Sequence, residues 1–193
     1  MLICSLTQKL EGLTVDSDTL YRLTRSYYHD VVESEVVLGN ITKDDHVLCI
    51  GGGACPISAI LFHQLSGARV TVIDNNECCV LKARQIVDKL GLCDYVQVVC
   101  QDGGSRGLPF ADYTAVHFAM QVSPLGRVFP YIEELVAPGT RLLVRRPKKR
   151  LHRLYDRLPG SLLRGCPLVS HRQGKNIGCT LLYTKQENSR AVA

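Results

Sequence analysis

A short apolar-leaning run, His46–Ile50, stops at three consecutive glycines, Gly51, Gly52 and Gly53. A run without polar alternation suits a parallel strand buried on both faces. Glycines at its end let the backbone turn sharply and leave open space above the turn. Pro56 then falls where a first helical turn tolerates proline, and Ile57, Ile60, Leu61 and Leu65 share one face of the helix that follows. Strand, glycine turn and helix in this order are the opening half of a βαβ unit.

The unit repeats along the chain. A second strand over 69–73 is closed by Asp74, and a helix over 77–90 faces the core with Val80, Ala83, Val87 and Leu90 before Gly91 stops it. A third strand over 95–99 ends in Gln101, Asp102 and Gly103. A fourth over 114–118 is followed by a helix near 128–136, and the turn Pro138-Gly139 leads into a fifth over 141–144. A basic helix over 148–158 comes next, then two strands near 168–170 and 178–184, which the polar turn from Arg172 to Asn176 makes an antiparallel hairpin. Ahead of the first strand, Ser17 or Asp18 can cap a helix whose Leu20, Leu23, Tyr27, Val31 and Val32 recur at three- and four-residue steps up to Gly39-Asn40.

The expected fold is therefore α/β: a doubly wound, mostly parallel seven-stranded sheet with a C-terminal antiparallel hairpin and a short N-terminal helical cap. The expected division is a cap over 1–44, a Rossmann-like domain over 45–185 and a disordered tail over 186–193. In such sheets ligands sit beyond the carboxyl ends of the strands, where the strand order reverses.

Composition excludes several classes. At 193 residues, 46% hydrophobic and 21% charged, the chain is an ordinary globular domain. Its nine cysteines are odd in number and irregularly spaced, as expected of small buried hydrophobes in a reducing compartment. The start, MLICSLTQKLEG, lacks a basic lead followed by an apolar stretch of signal length, so the cytoplasm is the expected location. No apolar run reaches the ~18–20 residues of a bilayer span, and no membrane partner is expected. With no C-x-x-C and no H-x-x-x-H pattern, no metal site is expected, and neither a G-x-S-x-G elbow nor a lysine-bearing phosphate loop is present.

The strand ends carry the chemistry. The glycine turn opens a helix N-terminus that favours an anionic group. Asp74 is placed to accept hydrogen bonds from a ribose diol, and Asp102 to accept an adenine amino group. Together they point to S-adenosylmethionine, with S-adenosylhomocysteine as a product, and Asn75, Gly103 and Met120 complete the expected cofactor set. A dinucleotide is the competing reading, since Asp74 lies ~20 residues past the turn. Against it, Pro56 stands where that fingerprint needs its third glycine, and the chain after the fifth strand reads as too short for a second mononucleotide half.

The arrangement VLCIGGG, VTVIDNN and VVCQDG resembles the class I (Rossmann-type) S-adenosylmethionine-dependent methyltransferase superfamily over about 45–185. The resemblance implies the cofactor and a methyltransferase activity. One departure is Cys49, where the family usually carries an acid that helps to hold the methionine end. A narrower resemblance joins GGGACPISAI, SYYHDVVESE, APGTRLLVRR and LYD to nicotianamine synthases, whose turn also lacks the acid and has proline where Pro56 stands. That family moves the aminobutyrate arm of the same cofactor rather than its methyl group.

A sulfonium cofactor brings its own leaving group, so the protein need only orient an acceptor and receive a proton. Glu33 or Glu35, near Tyr27 and Tyr28, could bind a substrate amine or act as a base, and the narrower resemblance favours Glu33 and Tyr28 as catalytic residues. After the fourth strand, HFAMQVSP offers Gln121 as a substrate contact, with His117 read as a packed strand residue. It lacks the Asn/Asp-Pro-Pro-Tyr/Phe tetrad of enzymes acting on exocyclic base amines. The basic run Arg141, Arg145, Arg146, Lys148, Lys149, Arg150, Arg153 and Arg157 allows three readings: a solvated face, an RNA-phosphate surface, or recognition of a carboxylate by Arg145 or Arg146. The expected function is a transferase, foremost a methyltransferase, acting on a small molecule. Aminobutyryl transfer, a non-catalytic S-adenosylmethionine-binding protein and an RNA methyltransferase are the alternatives, and a homodimer is left open.

Overall fold

The structure, a computed structural model, describes residues 18–105, 107–160, 164–172 and 176–187. The elements in chain order are α1 (Asp18–Gly39), β1 (His46–Ile50), α2 (Ile57–Ser66), β2 (Arg69–Asp74), α3 (Glu77–Lys89), β3 (Val96–Cys100), β4 (Ala115–Phe118), α4 (Leu125–Leu135), β5 (Arg141–Pro147), β6 (Leu168–Ser170) and β7 (Ile177–Thr184), with single 3-10 turns at Phe110–Asp112 and Lys149–Leu151. The seven strands form one sheet in the order β3-β2-β1-β4-β5-β7-β6. The first five pair in parallel, whereas β7 lies antiparallel to both β5 and β6. The fold is the expected one.

Alternation along β1 explains why the run had to be apolar throughout. Val47 and Cys49 pack into one core with Val32 of α1, Phe62 of α2 and Val80 of α3. Leu48 and Ile50 point the other way, into a second core built on Val128, Phe129 and Ile132 of α4. Among the described residues, α1, α2 and α3 thus cover one face and α4 the other. The chain reverses its strand order between β1 and β4, which sets the switch point above the carboxyl ends of those two strands.

At the opposite end of the sheet, Arg141 joins the C-terminus of α1 to the strands. Its Nη1 donates to the carbonyls of Gly39 (2.7 Å) and Asn40 (2.8 Å), and its Nη2 pairs with Asp45, which also accepts from Thr114 Oγ1 at 2.7 Å. A cation suits the last carbonyls of a helix. Arg141 is therefore withdrawn from the basic surface.

Two expectations need correction. The stretch 148–158 is not an α-helix: only the turn Lys149–Leu151 is regular. Its leucines have helical spacing, but Leu154 is 52% exposed, so no continuous apolar stripe packs down to hold a helix. Leu23 and Leu90 also lie outside the core, 64% and 39% exposed, while Val31 and Val32 of α1 and Val80, Ala83 and Val87 of α3 are buried. Ser17 and the end of the expected tail lie outside the described residues, as does part of the polar turn before β7. No helix among the described residues is long and apolar enough to cross a membrane.

Candidate functional site

Two cavities open at the switch point and share Ile50, Gly51 and Gln121 as a common wall. The first, about 210 Å³, lies over the ends of β1, β2 and β3, and its lining includes Gly53, Asp74, Asn75, Gln101, Asp102 and Gly103. The second, about 230 Å³, lies between α1 and the sheet, and its lining includes Tyr28, Cys49, Gly52, Ser58, His117 and Arg145.

The glycine turn is held from below. Gly51 and Gly52 donate from their backbone nitrogens to the Ile73 carbonyl at 2.9 and 3.2 Å, and Gly53 donates to Asp74 Oδ2 at 2.8 Å. Gly51 has φ +79°, a conformation natural to glycine. At Gly52 the requirement is space: a Cβ there would stand 2.1 Å from Val72 Cγ1. The turn is thus pressed against β2, which brings Asp74 beside it. Asp74 Oδ1 also accepts from Asn76 N at 2.9 Å, and Asn76 caps α3 by accepting from Cys79 N at 3.2 Å. Each carboxylate oxygen of Asp74 keeps acceptor capacity toward the cavity. Asp102, exposed at the rim, accepts from Gly104 N at 2.9 Å through Oδ1.

The second cavity carries a buried ion pair. Arg145 Nε donates to Glu35 Oε1 and its Nη2 to Glu35 Oε2, both at 2.7 Å, and its Nη1 donates to Ser58 Oγ at 2.8 Å. The β5–β7 register sets Thr180 opposite Arg145, and Thr180 Oγ1 donates to Glu35 Oε1 at 2.6 Å. Burial would raise the Glu35 carboxyl, but the Arg145 charge and these hydrogen bonds overcome it and hold the group at about 2. His117 Nε2 stands 3.8 Å from Glu35 Oε2 and makes no hydrogen bond among the described residues. Burial first, then the Arg145 charge, pushes His117 down to about 3, so the ring is neutral near pH 7. Cys49 is buried, and its thiol is pushed up, so no charge stands where a strand-end acid would. The Arg145 guanidinium lies 5.3 Å from the centre of the Tyr28 ring, within cation–π range.

The cofactor residues expected from sequence converge with one exception. Gly51, Gly53, Asp74, Asn75, Asp102 and Gly103 line the first cavity, Gly51 and Gly52 the second, and Met120 neither. Gln121 lines both and Tyr28 the second. Glu33 and Arg146 line neither. On a helix, residues two apart do not share a face: Glu35 turns into the core while Glu33 stays exposed beside His29 and Asp30. Those three side chains bring potential ligand atoms within 4.8 Å of one another on the surface of α1, a grouping not expected from sequence. On β5 it is Arg145, not Arg146, that faces the second cavity. Ser58 and Thr180 were not singled out from sequence, because their roles follow from tertiary pairing.

Comparison with known proteins places the fold. No family model matches the chain. The ubiquinone/menaquinone biosynthesis C-methyltransferase UbiE of Paracoccus denitrificans is 30% identical over 121 residues, covering 58% of this chain and 48% of UbiE. The chain thus spans about half the length of the curated relative it matches. Among solved structures, a glutamate-to-glutamine variant of the nicotianamine synthase MtNAS in complex with S-adenosylmethionine superposes with a TM-score of 0.77 at 24% identity, covering 95% of this chain and 75% of that one. MtNAS in complex with MTA and tNA gives a TM-score of 0.76 at 23% identity over 95% and 71% of the two chains. An RNA methyltransferase from Salinibacter ruber in complex with S-adenosyl-L-homocysteine gives 0.64 at 20% identity over 82% and 92%. The chain has the class I S-adenosylmethionine-dependent methyltransferase fold, with a likeness to nicotianamine synthases that runs through nearly its whole length.

Proposed function

We propose that this chain is an S-adenosylmethionine-dependent transferase acting on a small molecule. The observation that carries the reading is the meeting of Gly51, Gly53, Asp74 and Asp102 around one cavity at the switch point. Adenosine occupies that cavity, with Asp74 accepting from the ribose and Asp102 from the adenine amino group. The amino-acid arm passes Gly51 and Gln121 toward the second cavity. When bound, the cofactor supplies an electrophilic carbon and a neutral thioether leaving group. The chain's own part is to exclude water and orient the acceptor, with Tyr28 and Gln121 as the residues nearest that task. Glu35 is engaged by Arg145 and Thr180 and is not offered as a base.

Methyl transfer is the first reading, supported by the fold and by the likeness to UbiE. Aminobutyryl transfer is the second. It is favoured by Cys49 in place of the usual acid and by the likeness to MtNAS, which covers 95% of the chain. An RNA acceptor has less support, since Arg141 is drawn out of the basic run to the end of α1 and Arg145 into a buried ion pair.

Calorimetric titration with S-adenosylmethionine and S-adenosylhomocysteine tests the cofactor: absence of binding at millimolar concentration refutes it. Product analysis with pools of amines and amino acids separates the two chemistries. Methyl transfer leaves S-adenosylhomocysteine, and aminobutyryl transfer leaves methylthioadenosine.

A further inference from the structure

We infer that the stretch from Arg146 to Arg157 is a docking surface for an anionic phospholipid bilayer. Six bases (Arg146, Lys148, Lys149, Arg150, Arg153 and Arg157) and one acid (Asp156) give the stretch a charge of +5, which is also the net charge of the whole chain. The rest of the molecule is therefore neutral overall, and its positive field is concentrated in one place. The acid does little to dilute that field, because Asp156 is engaged by Ser123 Oγ and the Leu125 nitrogen. Among the described residues, no ion pair engages Lys149, Arg153 or Arg157, and all three are exposed.

The fold holds this charge outward. β5 ends at Pro147, so the stretch leaves the sheet at the edge where both cavities open. His152 Nε2 lies 3.1 Å from the Pro147 carbonyl oxygen, Asp156 grips the start of α4, and Leu158 is buried. Between these anchors Leu154 is left 52% exposed among the bases. A second leucine, Leu168, is 54% exposed. It pairs with Leu181 across β6 and β7 and so shares the face of the sheet whose core takes Leu158. Cations around outward leucines suit a bilayer interface, where the charges meet headgroups and the leucines enter the acyl boundary. A chain without a spanning helix can lie on a bilayer in this way. RNA phosphates would satisfy the bases, but the leucines would gain nothing there. Tyr155, the one aromatic side chain of the stretch, is half-buried and presents no open ring for base stacking. Ser123 lines the first cavity, so docking through this stretch brings the mouth of that cavity to the membrane surface.

Co-sedimentation of the full chain with lipid vesicles tests the surface. Binding is expected to vesicles of phosphatidylcholine mixed with phosphatidylserine, to weaken with added salt, and to be absent with phosphatidylcholine alone. A base near an anionic surface contributes a factor of about five, so Lys149→Ala combined with Arg153→Ala should weaken binding about 25-fold. Leu154→Ser leaves the charge unchanged and should weaken binding about 5-fold. These positions are exposed, and the variants should keep the circular dichroism and melting of the wild type. No binding to the mixed vesicles at low salt overturns the surface. Undiminished binding by the folded double variant overturns it too. If an RNA duplex at equal phosphate concentration strips the protein from the vesicles, and Leu154→Ser binds lipid like the wild type, the partner is RNA and the bilayer assignment fails.

Discussion

Arg145 and Glu35, 110 residues apart in the chain, meet in a two-pronged ion pair with both N–O distances at 2.7 Å. The pair ties α1 to β5 beneath the second cavity. Removing one member leaves the other charge buried and unpaired, which costs ~3–5 kcal/mol. Glu35→Ala is expected to lower the unfolding free energy read from urea melts by that amount. Thr180→Val, which removes only one hydrogen bond to Glu35, should cost ~1–3 kcal/mol. Equal effects of the two substitutions in urea melts would contradict an ion pair as the main tie.

The same cluster predicts an acid-sensitive fold. His117 is held at about 3 in the folded chain against an ordinary 6.5, so the unfolded chain binds this proton more readily and stability falls as pH drops from 6.5 toward 3. One such group contributes a slope of ~1.4 kcal/mol per pH unit. Glu35, held at about 2 against 4.5, adds its own loss only below about pH 4.5. Thermal melts between pH 7 and 5 should show the slope in the wild type and a shallower one in His117→Gln. An unchanged slope in that variant would place the acid sensitivity elsewhere.

Asp74 has two duties, and substitution separates them. It accepts from Gly53 N and Asn76 N, so it shapes the turn, and its remaining acceptor capacity faces the first cavity. Asp74→Asn retains the size of the group but removes its charge and half of its acceptor capacity. Affinity for S-adenosylhomocysteine should fall by ~1.5–3 kcal/mol, with a smaller change in melting temperature. Wild-type affinity in a folded Asp74→Asn protein would remove the ribose role.

The first cavity was legible in the sequence because its parts sit at strand ends punctuated by glycine and acid. The His46–Ile50 run, the glycine turn and Asp74 declare the switch point without tertiary information. The second cavity was not legible to the same depth. RLLVRRP in β5 has no polar alternation, since its strand is covered on both faces. Nothing local therefore distinguishes Arg145 from Arg146. Glu33 and Glu35 likewise differ only in the face of α1 they occupy, and the exposed Leu23 blurs where the apolar stripe runs. Spacing alone made 148–158 look helical, because periodicity records a pattern and not whether a partner surface exists.

Gly52 offers a test of the turn's packing. A Cβ at this position would meet Val72 Cγ1 at 2.1 Å, closer than any tolerable contact. Gly52→Ala should destabilise the fold by ~1–3 kcal/mol, the usual scale of overpacking. Trimming the obstacle should recover part of that loss, so Gly52→Ala with Val72→Ala should be less destabilised than the sum of the single variants. Strict additivity in chemical denaturation would show that the clash is relieved by some other movement.

Asp156 ties the segment after β5 to the rim of the first cavity. Its Oδ2 accepts from Ser123 Oγ at 2.8 Å and from the backbone nitrogen of Leu125, the first residue of α4, at 3.2 Å. An acid at a helix N-terminus satisfies an otherwise unpaired N–H and opposes the helix dipole favourably, an effect of ~0.5–2 kcal/mol. Ser123 lines the first cavity, while Asp156 does not. Asp156→Ala should therefore act through the loop: a small loss of stability, faster amide exchange at Leu125, and weaker binding of S-adenosylhomocysteine through a faster off-rate. Asp156→Asn retains an acceptor and should restore most of the binding. Loss of binding in the alanine variant with unchanged exchange at Leu125 would mean that Asp156 acts by a route other than the loop.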